Sequence, residues 1–342
     1  MNPTTTQALQ ERYLPALERE MREVVSTPSP AFRQLYGHLH YHLGWADEQL
    51  QPSEEPTGKR LRPIFCLLCC ELCGGDWERA LPAAAAVELL HNFSLIHDDI
   101  EDGDTTRRGR PTVWALWSMP QALNAGDALH ALAHLALLRL ADRGLPAETV
   151  AAAMQVFGRA CLRLTQGQFL DIRFEAQESV AIQEYLEMVA GKTAALLAAS
   201  CELGAMAANG EPVQREHLRD FGHHVGLAFQ IEDDILGIWG DPEVTGKPAG
   251  SDIRRRKKTL PIIYGLQRSK PLQALLAQPD LSTANIAQAV ELLEEAGGRE
   301  WAQEEAQVQT RHALTALDAA DGGKSAADTL RDLALGLVGR AR

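Results

Sequence analysis

The chain has 342 residues, 45% hydrophobic but only 6% aromatic, and its 46 acidic and 33 basic side chains leave a formal charge of −13. This length supports a sizeable core, and a balance rich in Ala and Leu favours helix over sheet. The acidic charge excludes a general nucleic-acid binder, which needs a basic face for the phosphate backbone.

Met1 to Gln10 has neither the basic stretch nor the apolar run of a secretory signal. The most apolar stretches, such as Ala128 to Leu138, are broken by His130 and His134 and fall short of the roughly 18 residues that suggest a span. A cytoplasmic protein without stable membrane insertion is expected. After a break at Gln51 to Gly58, the run Gly58-Lys59-Arg60-Leu61-Arg62-Pro63 opens a helix. Cys66, Cys69 and Cys73 fall on one stripe of that helix. No Cys or His pair follows at finger-like distance, so they read as small buried hydrophobes rather than zinc ligands. Apolar residues then return every three or four positions over Pro82 to His97, Pro120 to Ala141, Pro146 to Phe174, Ile182 to Ala208 and Glu216 to Ile238, each of which predicts a helix. The tail from about Leu272 reads as further helices. Further breaks at Gly103 to Pro111, Asn209 to Pro212 and Gly240 to Asp252 are too short for interdomain linkers. No alternating β-branched run is long enough for a sheet. An all-α bundle forming a single domain over residues 1–342 is expected.

Within Leu95-Ile96-His97-Asp98-Asp99-Ile100-Glu101-Asp102, Asp98 and Asp102 are four residues apart, so on a helix both carboxylates project from one face. Two such groups repel unless a cation lies between them. Hard carboxylate oxygens suit Mg²⁺, which takes one or two carboxylates and completes its octahedron with water and substrate phosphates. A second acidic site, Gln230-Ile231-Glu232-Asp233-Asp234, again ends an apolar helical stretch. Facing each other across a bundle, the two sites would hold several Mg²⁺ ions and a diphosphate.

Basic residues sit beside the acids. Arg107 and Arg108 follow the first motif, Lys59 and Arg62 stand at a helix start, and Lys192 with Thr193, Lys247, Lys257 and Lys258 extend the set. Guanidinium forks and helix N-termini both favour phosphate. Each alone reads as surface charge; their repetition beside acidic motifs in an acidic protein points to a diphosphate cavity. Gly191-Lys192-Thr193 is no P-loop, because Leu186 replaces its first glycine and no strand precedes it.

In order along the chain these residues resemble the trans-polyprenyl diphosphate synthases, the family of farnesyl and geranylgeranyl diphosphate synthases. The resemblance runs from about Gly58 to Tyr264 and includes Gly58-Lys59-Arg60-Leu61-Arg62-Pro63, Glu88, His91, Asp98-Asp99-x-x-Asp102, Arg107-Arg108-Gly109 and Gln166-Gly167-Gln168. It continues through Gly191-Lys192-Thr193, Gln230-x-x-Asp233-Asp234, Gly246-Lys247 and Lys257-Lys258-Thr259-Leu260-Pro261. It implies an isoprenoid-synthase-type helical bundle around a central cavity, a homodimer, and Mg²⁺ bound by Asp98, Asp102 and Asp233, about three ions with substrate present. It further implies that Arg107, Lys192, Thr193, Gln230, Lys247 and Lys257 hold an allylic diphosphate, and that Lys59, Arg62, His91 and Arg108 hold isopentenyl diphosphate. Asp98, Asp99, Asp102, Arg107, Lys192, Asp233 and Lys247 form the expected catalytic set. The sequence departs from the family where the second motif's usual third Asp is Gly237. Water, or Asp241 one turn further on, is the expected replacement.

The expected reaction is head-to-tail condensation: diphosphate leaves the allylic substrate, isopentenyl diphosphate attacks the cation, and proton loss restores an alkene. Phe93 stands five residues before Asp98, about 7.5 Å down a helix axis. With small Ser94 beside it, and with Leu90 deeper, it is the expected limit on chain length. By resemblance this gives geranylgeranyl diphosphate first and farnesyl diphosphate next. The alternatives are a class I terpene cyclase, which needs no second diphosphate site, and a catalytically weak regulatory subunit of a heteromeric synthase.

Overall fold

The computed structural model describes residues 3–241 and 250–338. Helices α1 (Pro3–Val24), α2 (Arg33–His42) and α3 (Leu61–Leu72) lead to the central α4 (Leu81–Glu101). Pro82 lies in the first turn of α4, where its missing N–H costs nothing. Residues 83–90 are buried on every face, and all but Glu88, whose charge Arg60 meets, are apolar. A hairpin of two-residue strands, β1 (Thr106–Arg107) and β2 (Arg110–Pro111), follows, with Thr106 opposite Pro111 and Arg107 opposite Arg110. This small hairpin is more regular than the loop expected at Gly103 to Pro111.

Next come α5 (Val113–Trp117), α6 (Met119–Leu138) and α7 (Ala147–Glu175). The single helix expected over Ile182 to Ala208 is instead α8 (Ile182–Val189), a π turn at Ala190–Ala194, and α9 (Ala195–Ala207). α10 (Pro212–Trp239) is long and uninterrupted. α11 (Ser251–Arg254), α12 (Leu260–Leu266), α13 (Lys270–Leu276), α14 (Thr283–Glu295), α15 (Gly298–Ala319) and α16 (Lys324–Val338) complete the described chain, with the tail helical as expected.

Helix α4 packs along α3, α6 and α9, and α10 lies against α9 and α15. This brings the C-terminal end of α4 and the C-terminal half of α10 to opposite sides of the π turn. Cys66, Cys69 and Cys70 are fully buried in the main core, and burial raises each thiol, Cys70 to about 12. They are free thiols and behave as small apolar side chains. Among the described residues no helix is long and apolar enough to cross a membrane.

Candidate active site

A cavity of about 370 Å³ opens between the end of α4, α7 and the π turn. The first acidic motif stands at its mouth. Asp98 lies on the last turn of α4, and Asp102 caps the helix, its N–H donating to the Asp98 carbonyl at 2.9 Å. Asp98 is ion-paired on both oxygens: Lys192 Nζ is 3.2 Å from Oδ1 and Arg107 Nη2 is 3.4 Å from Oδ2. Asp99, one residue on, turns into the protein and is only 1% exposed. Arg107 Nε donates to it at 2.6 Å, and burial still lifts its carboxyl to about 6. Asp99 therefore fixes Arg107 rather than facing the cavity. Burial of the Asp102 carboxyl, and next the Asp98 charge, raise it to about 6, while the Lys192 ammonium opposes the rise.

Lys192 is placed by backbone geometry. Gly167 on α7 and Gly191 in the π turn touch, and a Cβ on Gly167 would lie 2.1 Å from the Lys192 nitrogen. Only glycines allow so close an approach. A π turn is a bulge often found at functional sites; here it turns Lys192 toward Asp98 and Asp171. Asp171 on α7 pairs with Lys192 Nζ at 2.5 Å, a second anchor that the sequence reading missed. The signal was present: Gln168 and Asp171 are three residues apart on one helical face, and Gln168 donates to Glu101 at 2.7 Å. Thr193 donates to Gln230 at 2.8 Å, which ties the π turn to α10.

In the second motif the two aspartates again divide their roles. Asp234 is buried: Gln230 donates to it at 3.2 Å, the Leu260 N–H at 3.1 Å, and the Tyr185 hydroxyl also donates to it. Burial raises its carboxyl to about 7. It anchors α12 on α10. Asp233 is exposed, and its charge, like those of Asp171, Asp234 and Asp252, raises Lys257. Lys257 in turn acts on Lys192. The two motifs thus share one electrostatic neighbourhood through Lys192, Asp171 and Lys257. Helix α10 ends at Trp239, so Asp241 lies beyond the helix, not on its next turn; the group against Gly237 is the Asp252 carboxylate.

Two of the other expected phosphate ligands, Arg62 and His91, stand at the same cavity as Asp98. Arg62 Nη1 lies 3.3 Å from His91 Nε2, and both line the cavity. Burial, then the Arg62 and Arg108 charges, hold His91 well below its ordinary value, so it stays neutral beside these cations. The Arg108 guanidinium packs on Gly58, where a Cβ would meet it at 2.7 Å, and Lys59 is the exposed next residue. Arg60 and Arg108 both have left-handed backbones, with φ of 51° and 54°. Buried ion pairs from Arg60 to Glu18 and Glu88, at 2.8 and 2.9 Å, hold the first of these.

The apolar end of the cavity includes Phe93, Ser94, Leu164 and Ile172. The Phe93 ring stands 4.8 Å from the His97 ring and 5.0 Å from the His130 ring. Leu90 is fully buried in the core and does not line the cavity. Lys247 lies outside the described residues. Among the described residues no three His, Cys, Asp or Glu side chains converge closely enough to hold a metal ion unaided.

A family model described as polyprenyl synthetase matches residues 44–293. The chain is 45% identical to the (2E,6E)-farnesyl diphosphate synthase of Mycobacterium tuberculosis, over 87% of this chain and 82% of the relative. It is also 45% identical to that organism's geranylgeranyl diphosphate synthase, over 81% and 79%. The solved polyprenyl synthetase of Streptomyces coelicolor A3(2) superposes with a TM-score of 0.90 at 39% identity, over 97% of this chain and 99% of that one. With its paired acidic motifs, the cations set beside them and this likeness over most of its length, the chain belongs to the polyprenyl synthetase family.

Proposed function

We infer that this chain elongates short trans-prenyl diphosphates, condensing isopentenyl diphosphate head to tail with an allylic diphosphate, and that it requires Mg²⁺. The observation that carries the reading is the setting of Asp98, held between Lys192 and Arg107 at the mouth of an apolar cavity, with Arg62 and His91 at the same cavity. The donor set fits Mg²⁺: Asp98, Asp102 and Asp233 offer hard oxygens, and a cation that keeps water and substrate phosphates in its shell needs no cage of three protein groups. When bound, Mg²⁺ supplies charge neutralisation for the leaving diphosphate.

The chain's own residues do the rest. Arg107, Lys192 and Lys257 hold the allylic diphosphate oxygens, and Lys247 joins them. Lys59, Arg62, His91 and Arg108 seat isopentenyl diphosphate, whose double bond attacks the allylic cation left once the carbon–oxygen bond has broken. The apolar walls exclude water from the cation. The departing diphosphate is itself a base able to take the proton lost when the alkene reforms, so no side-chain base is needed. Phe93 and Ser94 limit the product, with geranylgeranyl diphosphate the first expectation and farnesyl diphosphate the next.

The chain acts as one domain, in the cytoplasm and as a homodimer. In favour of the dimer, Leu123, Leu135 and Leu138 on α6 and Leu162 on α7 are exposed large apolar side chains.

Incubation with Mg²⁺, isopentenyl diphosphate and each allylic diphosphate, followed by sizing of the products, tests the reading. Linear prenyl diphosphates are expected. Asp98→Ala should lower turnover at least about a hundredfold while the helical circular dichroism is kept. Cyclic hydrocarbon, no turnover by the wild type, or a near-normal Asp98→Ala enzyme would each contradict it.

A further inference from the structure

Gly237 stands one turn beyond Asp233 on α10, about 6 Å along the axis and on the same face. A side chain there would start inside another group: a Cβ built on Gly237 lies 2.1 Å from Asp252 Oδ2 and 2.5 Å from its Cγ. The space that a residue at 237 would fill is thus occupied by a carboxylate from α11. Its segment is docked on the end of α10 by two hydrogen bonds. The Gly250 N–H donates to the Ile238 carbonyl at 3.0 Å, and the Ser251 hydroxyl donates to the Gly237 carbonyl at 3.2 Å. Asp252 therefore reaches this position through a fixed backbone rather than a long, adaptable side chain. Its charge falls on Lys257 together with those of Asp233 and Asp171, which places it in the field of the diphosphate cavity.

We propose that Asp252 supplies the third carboxylate of the second acidic motif, reaching from α11 into the space left by Gly237 to hold a divalent cation together with Asp233. This rests on the functional reading above. It makes Gly237 and Asp252 a matched exchange: one helix position gives up its carboxylate, and a neighbouring helix returns it.

The test is cation binding with inorganic pyrophosphate as the anion, read without turnover. Mg²⁺ affinity is measured by calorimetry and bound Mn²⁺ by electron paramagnetic resonance. Asp252→Asn keeps the side chain's shape and removes its charge; it should weaken Mg²⁺ at least about tenfold, within the range known for groups that support a metal site. Asp252→Ala should weaken it similarly, and Gly237→Asp/Asp252→Ala should recover most of the loss, because the carboxylate returns to the same place from α10. Gly237→Asp alone should give no gain, since Asp252 already fills the space. Wild-type affinity in Asp252→Asn, a gain in Gly237→Asp, or a double variant as weak as Asp252→Ala would each overturn the proposal. Asp233→Asn is the control: if it too binds Mg²⁺ and pyrophosphate like the wild type, the metal-site reading itself fails, whatever Asp252 does.

Discussion

Asp98 and Asp99 are adjacent, but one faces the cavity and the other is buried against Arg107; in the second motif Asp233 is exposed and Asp234 buried. Neighbouring helical residues point about 100° apart, so two consecutive aspartates cannot both face a ligand. One is left open to a ligand and its neighbour braces. Asp171 braces in the same way, holding Lys192 at 2.5 Å. Asp171→Asn should leave the fold intact and lower kcat/KM about tenfold to a hundredfold through misplacement of the ammonium, measured by steady-state kinetics; an unchanged kcat/KM would remove Asp171 from the positioning set. His42 carries a prediction about pH. Burial, then Arg108, Arg107, Arg60 and Arg110, lower it to about 3, whereas an unfolded histidine titrates near about 6.5. The unfolded chain thus binds more protons between these values. The stability His42 contributes is fully present above about pH 6.5 and is lost as the pH falls toward about 3. Between pH 7 and 5 the substrate-free protein should lose about 1 to 2 kcal/mol from this group. Melting curves at the two pH values should show a smaller drop for His42→Gln; an equal drop would refute the assignment.

At the scale of elements, α4 and α10 were legible because their apolar residues recur at helical spacing and their acidic pairs stand near the helix ends. The π turn was not. Ala190-Gly191-Lys192-Thr193-Ala194 contains no proline, and its register shift follows from the contact of Gly191 with Gly167 on another helix, a tertiary fact. Which aspartate of each pair turns inward was equally hidden, since it depends on what packs behind the helix. The position of Asp252 beside Gly237 depends on how α11 docks, which no local pattern encodes. Phe93, by contrast, was found from its distance to Asp98, and it does line the cavity, whereas Leu90 belongs to the core. Behind Phe93 lies His130, whose Nε2 is 3.3 Å from Cys161 Sγ, so the floor has a second layer contributed by α6 and α7. Phe93→Ala should lengthen the main product by at least one isoprene unit, read by chromatography of the dephosphorylated alcohols. An unchanged product would move the limit to the His130 layer.

Across the whole molecule, the helices converge on a centre crowded with carboxylates and cations inside a chain that is itself acidic. The ion pairs of Asp98 with Lys192 and Arg107, and of Lys192 with Asp171, show how that charge is tolerated before any substrate arrives. The protein carries internal counter-ions, so its folding is not tied to metal as it is in small zinc domains. Chelation with EDTA should leave the melting temperature unchanged, and a large drop would contradict this. The same arrangement makes the ligands interdependent. On the proposal that Asp98 holds Mg²⁺, the cation alone would have to evict an ammonium and a guanidinium, and pyrophosphate alone would meet carboxylates, so each should stabilise the fold only weakly. Together they exchange partners, carboxylate to Mg²⁺ and ammonium to phosphate, and should raise the melting temperature by more than the sum of their separate effects. On that proposal the resting ion pairs form a closed circuit of charge, to be opened by cation and anion arriving as a pair.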